Sequence, residues 1–540
     1  MCSGFIHRPV LLSKNGLVTA GHHLASLVGV NVLESGGNAF DSAIATSAVL
    51  SVVRPHMGAL GGDAFALLYR GNNGKIEALN ASGPAPLSAS KDWFLEKGQT
   101  NIPTQGISAV SVPGLADSWA AISEKYGTMD LHQLLGPAVK YAKEGFPVYA
   151  KLSLAIKEAN QKLSIDPSAA GIFLRNGRAL LQGELLIQTD LAKTLEQIAR
   201  DPRAFYEGSI ARTIAEHSRE LGGQLGADDL ADYRSAWMPT ICTSYRGYLV
   251  HEQPPVSQGH VLLQELNIVG GFDLARLRHN TADSIHIMVE AKKLAFADRL
   301  RYLSDPDFVK IPMEMLLSEE HAAEQREQIT TSKTITTKEP REQADRSGGE
   351  TTYFSIVDKH GNAVSFIQSI MSSFGSGVVV DGTGIVLNNR LSAFSLQSNH
   401  PNRLEPGKRT AHTLNSYMVM NDGNLFMVGG TPGLDDQIQV NLQVISNVID
   451  HHMNVQEAIE APRWSSKPGT SPGTENDSYE LWLENRIPLN VRDELVGRGH
   501  LVKMSSGWSF GGVQAILIDC ENRVLMGGAD PRRDGYAIGW

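Results

Sequence analysis

Apolar residues recur at helical spacing over residues 23–33 and stop at Gly36–Gly37, which predicts a helix ended by a glycine turn. Over residues 41–53 they occupy nearly every face, the pattern of a helix buried all round, and Arg54–Pro55 ends it. A short strand is expected over 64–69, after the glycine-rich stretch Gly58 to Gly62. Residues 284–302 again read as helix, with Asp283 as its expected N-cap.

The pattern breaks near Gln325. From there to Glu350 the chain is almost wholly polar, with only Ile329, Ile335 and Ala344 as apolar residues. Such composition predicts a mobile, exposed linker over 325–350. Beyond it the alternation turns to strands: 353–357 and 362–369 around the turn Asp358-Lys359-His360-Gly361, and 416–420 and 425–428 around Asn421-Asp422-Gly423-Asn424. Helices are expected over 440–450 and 455–460, then a hairpin from 513–518 and 523–526. Hairpins alternating with helices imply sheets covered by helices.

Composition narrows the function classes. The chain has 540 residues, 42% hydrophobic and 20% charged, enough for a large core without disulfide or metal staples. A net charge of −10 with no basic stripe argues against nucleic acid as a partner. Cys2, Cys242 and Cys520 are odd in number and far apart, so neither a disulfide framework nor a zinc ribbon is indicated. Residues 1–14 lack the apolar core of a signal peptide, and no run of about 18 apolar residues suggests a membrane span. The expected location is the cytoplasm. His22–His23 and His451–His452 lack a third ligand at metal spacing, so no metal is expected.

Candidate chemistry sits where the linker ends. Ser347-Gly348-Gly349-Glu350 leads directly into Thr351-Thr352-Tyr353-Phe354-Ser355-Ile356-Val357-Asp358. This segment resembles the processing site of γ-glutamyltransferases, which are N-terminal-nucleophile hydrolases. The resemblance runs from about Gly16 to the C-terminus, through Gly37-Asn38-Ala39-Phe40-Asp41, Ala297-Asp298-Arg299, Phe374-Gly375-Ser376-Gly377, Leu387-Asn388-Asn389, Pro406-Gly407-Lys408-Arg409 and Asp530-Pro531-Arg532. It implies a four-layer αββα sandwich (α/β, more strictly α+β) with two stacked antiparallel sheets. It also implies one precursor cut between Glu350 and Thr351 into a large piece, 1–350, and a small piece, 351–540, which together form one integrated fold. A homodimer of such heterodimers is left open, and no cofactor is implied.

Thr351 would then carry nucleophile and base on one residue. A hydroxyl is a weak nucleophile until a base removes its proton. The α-amine freed by cleavage has a reference pKa of about 7.7–8.0, suited to that task near neutral pH. The resemblance places the oxyanion donors at the Gly433 and Leu434 N–H groups, in Gly430-Thr431-Pro432-Gly433-Leu434, where relatives usually carry a second glycine. That loop lacks the Lys-Ser/Thr ending of a phosphate cradle. Ser369 matches a hydroxyl that supports the nucleophile.

The substrate pocket departs from the γ-glutamyl pattern. The ammonium-binding Asp is replaced by Ala393, a glutamine by Arg390 beside Asn389, and paired serines by His412-Thr413, while the large-piece arginine aligns with Lys91. Loss of an anion and gain of a cation disfavour a substrate ammonium and favour a carboxylate. The stretches around Ser369, Arg390 and His412 also look like a subgroup containing oxamate amidohydrolase. Three readings follow: cleavage of a small carboxylate-bearing amide, γ-glutamyl transfer or glutathione hydrolysis, and an unprocessed binding protein.

Overall fold

The computed structural model describes residues 7–335, 349–468 and 479–540. Two seven-stranded sheets, antiparallel throughout, lie face to face. In the first the order is Tyr536–Gly539, Gly16–Ala20, Gly349–Asp358, Ala363–Ser372, Asp63–Arg70, Lys75–Ala81 and Ala236–Pro239. In the second it is Leu11–Ser13, Val524–Ala529, Gln514–Asp519, Asn424–Gly430, Tyr417–Asn421, Tyr248–Glu252 and Ile241–Tyr245. Both sheets combine strands from before and after Thr351.

Leu17, Leu67, Val357, Met418, Val428 and Ile516 fill the space between the sheets. Helices cover the outer faces: Ala39–Val53 with His23–Glu34 on the first, and Gly259–Gly270, Ala282–Tyr302 and Asp436–Ile449 on the second. The four-layer sandwich is therefore present as expected. Ala39–Val53 is buried along its whole length because it lies between the first sheet and an outer layer of helices. It starts two residues earlier than the hydrophobic pattern indicates, because Asn38 caps it, accepting from Phe40 N and Asp41 N while Asp41 returns a bond to Asn38 N.

Two local expectations are corrected. The helix Ala282–Tyr302 is capped by Thr281, whose Oγ1 accepts from Ser284 N at 3.3 Å; Asp283 lies in the first turn and pairs with Arg498. The polar stretch is not a linker from Gln325 onward. Glu319–Glu327 is helical, Gln325 Nε2 donates to Asp298 at 2.9 Å, and Ile329 joins the core. Glu290 accepts from Thr334 Oγ1 at 2.9 Å and from Ile335 N at 2.6 Å. Polar residues order here because the adjoining helix supplies buried polar partners, which composition alone does not reveal. The rest of the expected linker, 336–348, lies outside the described residues. Among those described, no helix is long and apolar enough to cross a membrane.

Candidate active site

Three polar side chains stand in one row across the first sheet. Thr351 is directly opposite Ser369, and Ser369 is directly opposite Asp63, on three neighbouring strands. All three are buried. Residues at opposed positions share a face, and alternation along Gly349–Asp358 puts Thr351 on the side of Tyr353, which faces the second sheet. Thr352 points the other way, towards Gly58 and Arg54.

Thr351 Oγ1 donates to Ser369 Oγ at 3.1 Å, and Met371 N donates to the same oxygen at 2.8 Å. With its proton directed at Ser369, the Thr351 oxygen keeps its lone pairs for attack. The ladder register shifts between Gly349 and Thr351, so the Glu350–Thr351 bond sits at a bulge rather than in regular pairing.

The third member of the row anchors a charged cluster. Arg390 Nε donates to Asp63 Oδ2 at 3.0 Å, Gly83 N donates to Oδ1 at 3.1 Å, and His412 Nε2 lies 3.4 Å from Oδ2. Burial alone would raise the Asp63 pKa, but His412 and Arg390 outweigh it and hold the carboxyl below its ordinary range. Burial pulls the Arg390 guanidinium down, and Asp63 opposes that pull. Burial, then the Arg390 charge, push His412 down to about 4, so it is neutral near pH 7. Arg390 Nη2 and Thr413 Oγ1 have no hydrogen-bond partner among the described residues.

This alters the charge count. Taken from sequence alone, Arg390 is an uncompensated cation, whereas in the fold Asp63 neutralises it. Sequence reasoning missed Asp63, although an acid opening the apolar run Asp63 to Tyr69 straight after Gly61–Gly62 is a usable signal. Two expected pocket residues have other engagements. Asn389 Nδ2 donates to Thr104 O at 2.9 Å and Ser372 Oγ at 3.1 Å, and its Oδ1 accepts from Ser372 N at 3.1 Å. Both amide hydrogens and one lone pair of the amide oxygen are engaged in these bonds. Lys91 opens the short helix Lys91–Glu96 and donates to Ser398 Oγ at 2.6 Å, away from the Asp63–Arg390 pair.

The expected oxyanion loop approaches from the second sheet. Leu425 packs in the same inter-sheet layer as Val357, and Gly430 lies against Tyr353, where an added Cβ would fall 2.6 Å from the ring. The strand therefore runs opposite to Gly349–Asp358 across the sandwich and carries Gly433 and Leu434 towards the Thr351 end. Gly433 has φ 136° and Leu434 φ 51°, so a leucine occupies the left-handed region. Neither N–H has an acceptor among the described residues, while both carbonyls are engaged, by Asp436 N at 2.9 Å and Gln437 N at 3.2 Å. The helix Asp436–Ile449 starts immediately after, adding a favourable dipole for an anion. Arg299 pairs with Asp435, and Lys467 with Asp436 at 2.8 Å, locking this junction.

His286, Glu290 and His500 bring three possible ligand atoms within 4.8 Å of one another. Their atoms are otherwise occupied. His286 Nδ1 and His500 Nε2 bond each other at 2.7 Å, and the Lys293 ammonium lies 2.7 Å from Glu290. The cluster serves as a clamp on residues 330–335.

The family profile described as gamma-glutamyltranspeptidase matches residues 25–540. A "Glutathione hydrolase-like YwrD proenzyme" of Bacillus subtilis (strain 168) is 40% identical over 534 residues, covering 98% of this chain and 99% of that protein. A "Glutathione hydrolase proenzyme" of Escherichia coli (strain K12) is 35% identical over 538 residues, covering 96% of this chain and 91% of the relative. The crystal structure of a cephalosporin acylase from Bacillus halodurans is similar over 100% of this chain and 98% of that one, with a TM-score of 0.92 and 37% identity. With Thr351 and Ser369 opposed in a four-layer αββα sandwich, the chain is an enzyme of the gamma-glutamyltranspeptidase family and has the fold of the N-terminal-nucleophile hydrolases.

Proposed function

We propose that the chain is cut between Glu350 and Thr351 and that the freed Thr351 cleaves the amide of a small carboxylate-bearing substrate of the oxamate type. Once freed, the amine of Thr351 takes the hydroxyl proton that the uncut chain directs at Ser369, and the oxygen attacks the amide carbon. The resulting oxyanion is held by the Gly433 and Leu434 N–H groups. Collapse breaks the C–N bond, the Thr351 ammonium protonates the leaving amine, and an ester to Thr351 remains. Water, deprotonated by the same amine, attacks the ester and releases the acid. Ser369 steadies the attacking oxygen through the 3.1 Å bond.

The observation that carries the substrate class is Arg390. It is buried, its Nε is tied to Asp63, which shares a sheet face with Thr351, and its Nη2 has no partner among the described residues. A substrate carboxylate supplies that partner, with Thr413 Oγ1 as a second open group. A reducing cytoplasm fits Cys242 and Cys520, which are free thiols. One observation favours a second reading, hydrolysis or transfer of γ-glutamyl groups. Asp63 compensates Arg390, so a substrate ammonium meets less repulsion than Arg390 alone would impose.

Steady-state kinetics on oxamate and on glutathione, with the purified cleaved protein, separate the two. A higher kcat/KM for oxamate is expected; a clear preference for glutathione overturns the acid-amide reading. Intact-mass measurement should find two pieces beginning at the N-terminus and at Thr351, and uncut but active protein would refute the N-terminal-amine mechanism.

A further inference from the structure

One buried side chain fastens the pocket loop to the oxyanion loop. Gln258 stands immediately before the helix Gly259–Gly270 and is fully buried. Its Nε2 donates to Thr413 O at 2.5 Å and to Leu434 O at 3.3 Å. Its backbone belongs to the same join: Gln258 N donates to His412 O at 3.0 Å, His412 N donates to Val256 O at 2.8 Å, and Ser257 Oγ donates to Leu414 O at 2.6 Å. Two carbonyls converging on one terminal atom identify it as the NH2 group, since a reversed amide would set oxygen against two oxygens.

The Leu434 carbonyl and the Leu434 N–H belong to the two peptide planes flanking one residue. With Leu434 at φ 51°, the position of one plane sets the direction of the other. A leucine resists this conformation, so the turn needs outside anchors to persist. Gln258 supplies one on the carbonyl side, in addition to Gln437 N.

We propose that Gln258 is a positioning residue that keeps the Leu434 N–H aimed at the oxyanion. Through Thr413 it couples that aim to the loop carrying His412 beside the Asp63–Arg390 pair. The inference rests on the oxyanion role of Gly433 and Leu434 proposed above. It also joins two places where the sequence leaves the γ-glutamyl pattern, His412-Thr413 and Leu434, into one mechanical unit.

The test uses the purified cleaved enzyme and its best substrate. Gln258→Met keeps the length but removes the donor, and Gln258→Glu keeps the shape but sets an acceptor against two carbonyls. We expect kcat to fall about 10- to 100-fold in Gln258→Met, with KM within about threefold, and further in Gln258→Glu. Glycine adopts positive φ freely, so in a Leu434→Gly background the loss caused by Gln258→Met should shrink several-fold. An unchanged kcat in Gln258→Met, or the same loss in both backgrounds, removes Gln258 from this role. Gly433→Pro, measured alongside, separates the two levels: if it keeps wild-type kcat, the oxyanion assignment itself falls and the inference with it. If it abolishes turnover while Gln258→Met does not, only the inference falls.

Discussion

The hydroxyl of Thr351 donates to that of Ser369 across 3.1 Å, from directly opposed positions on neighbouring strands. Register, rather than a flexible loop, sets this distance, so the pair is organised before substrate arrives. Ser369→Ala should lower kcat roughly 2- to 10-fold, the scale of a lost neutral hydrogen bond of about 0.5–1.5 kcal/mol. Ser369→Thr, which keeps a hydroxyl, should restore most of the rate. Equal kcat in Ser369→Ala and wild type would reduce the contact to packing.

Maturation should depend on the same hydroxyl. Thr351→Ala should leave one full-length chain on a denaturing gel, while wild type gives two bands. The register shift before Thr351 places the Glu350–Thr351 bond at an irregular point of the ladder. A Thr351→Ala protein that still divides at this bond would point to an external protease.

The two glycine-loop positions should respond in opposite ways. Gly433→Pro removes an N–H and forces φ near −65° where the backbone has 136°, and should nearly abolish turnover. Leu434→Gly keeps its N–H and relieves a left-handed leucine, a conformation costing about 1–2 kcal/mol. It should retain substantial activity. Mild and equal losses at both positions would move the oxyanion hole elsewhere.

Sequence showed what is local. The apolar periods anticipate a helix over 41–53, found as Ala39–Val53, and strands over 353–357 and 362–369, found as Gly349–Asp358 and Ala363–Ser372; the motif at Thr351 also points to Ser369, which stands opposite it eighteen positions on. What joins distant segments stayed hidden. Asp63 and Arg390 meet across 327 positions of chain, and although the acid after Gly61–Gly62 marks Asp63, nothing local pairs it with Arg390. The motif that holds Asn389 is visible in the sequence, whereas its bonds to Thr104 and Ser372 are not. The polar stretch after Gln325 misled for the same reason: its order comes from Glu290 and Asp298, on another element.

Glu252 provides a pH test away from the chemistry. It is fully buried, and burial raises its pKa from 4.5 to about 8, against smaller opposing bonds from Asn415 and the Gln253 and Ser416 backbone. A folded-state pKa above the unfolded one means that the native chain binds more protons between these values. The resulting stability is complete below about 4.5 and is lost as pH rises through about 8. Relative to Glu252→Gln, wild type should therefore lose thermal stability progressively between these values. Parallel melting curves for the two proteins across that range would show the carboxyl to be ionised in the fold.

Substrate charge offers the sharpest division between the two proposed chemistries. Ala393 ends the short helix Arg390–Ala393, so a carboxylate introduced there stands one helical turn from the guanidinium. Ala393→Asp should raise relative activity on γ-glutamyl compounds by giving their ammonium a partner, and Arg390→Gln should weaken a small acid substrate about 10- to 100-fold. Arg390→Gln also strips the buried Asp63 of its ion-pair partner, which alone can cost about 3–5 kcal/mol of stability. Absolute rates would mix that loss with binding. The ratio of kcat/KM for oxamate to that for glutathione, measured on one preparation, cancels the amount of folded enzyme. It should drop for both variants. A ratio unmoved by Arg390→Gln would confine Arg390 to its bond with Asp63 and shift the choice of acyl donor to other residues.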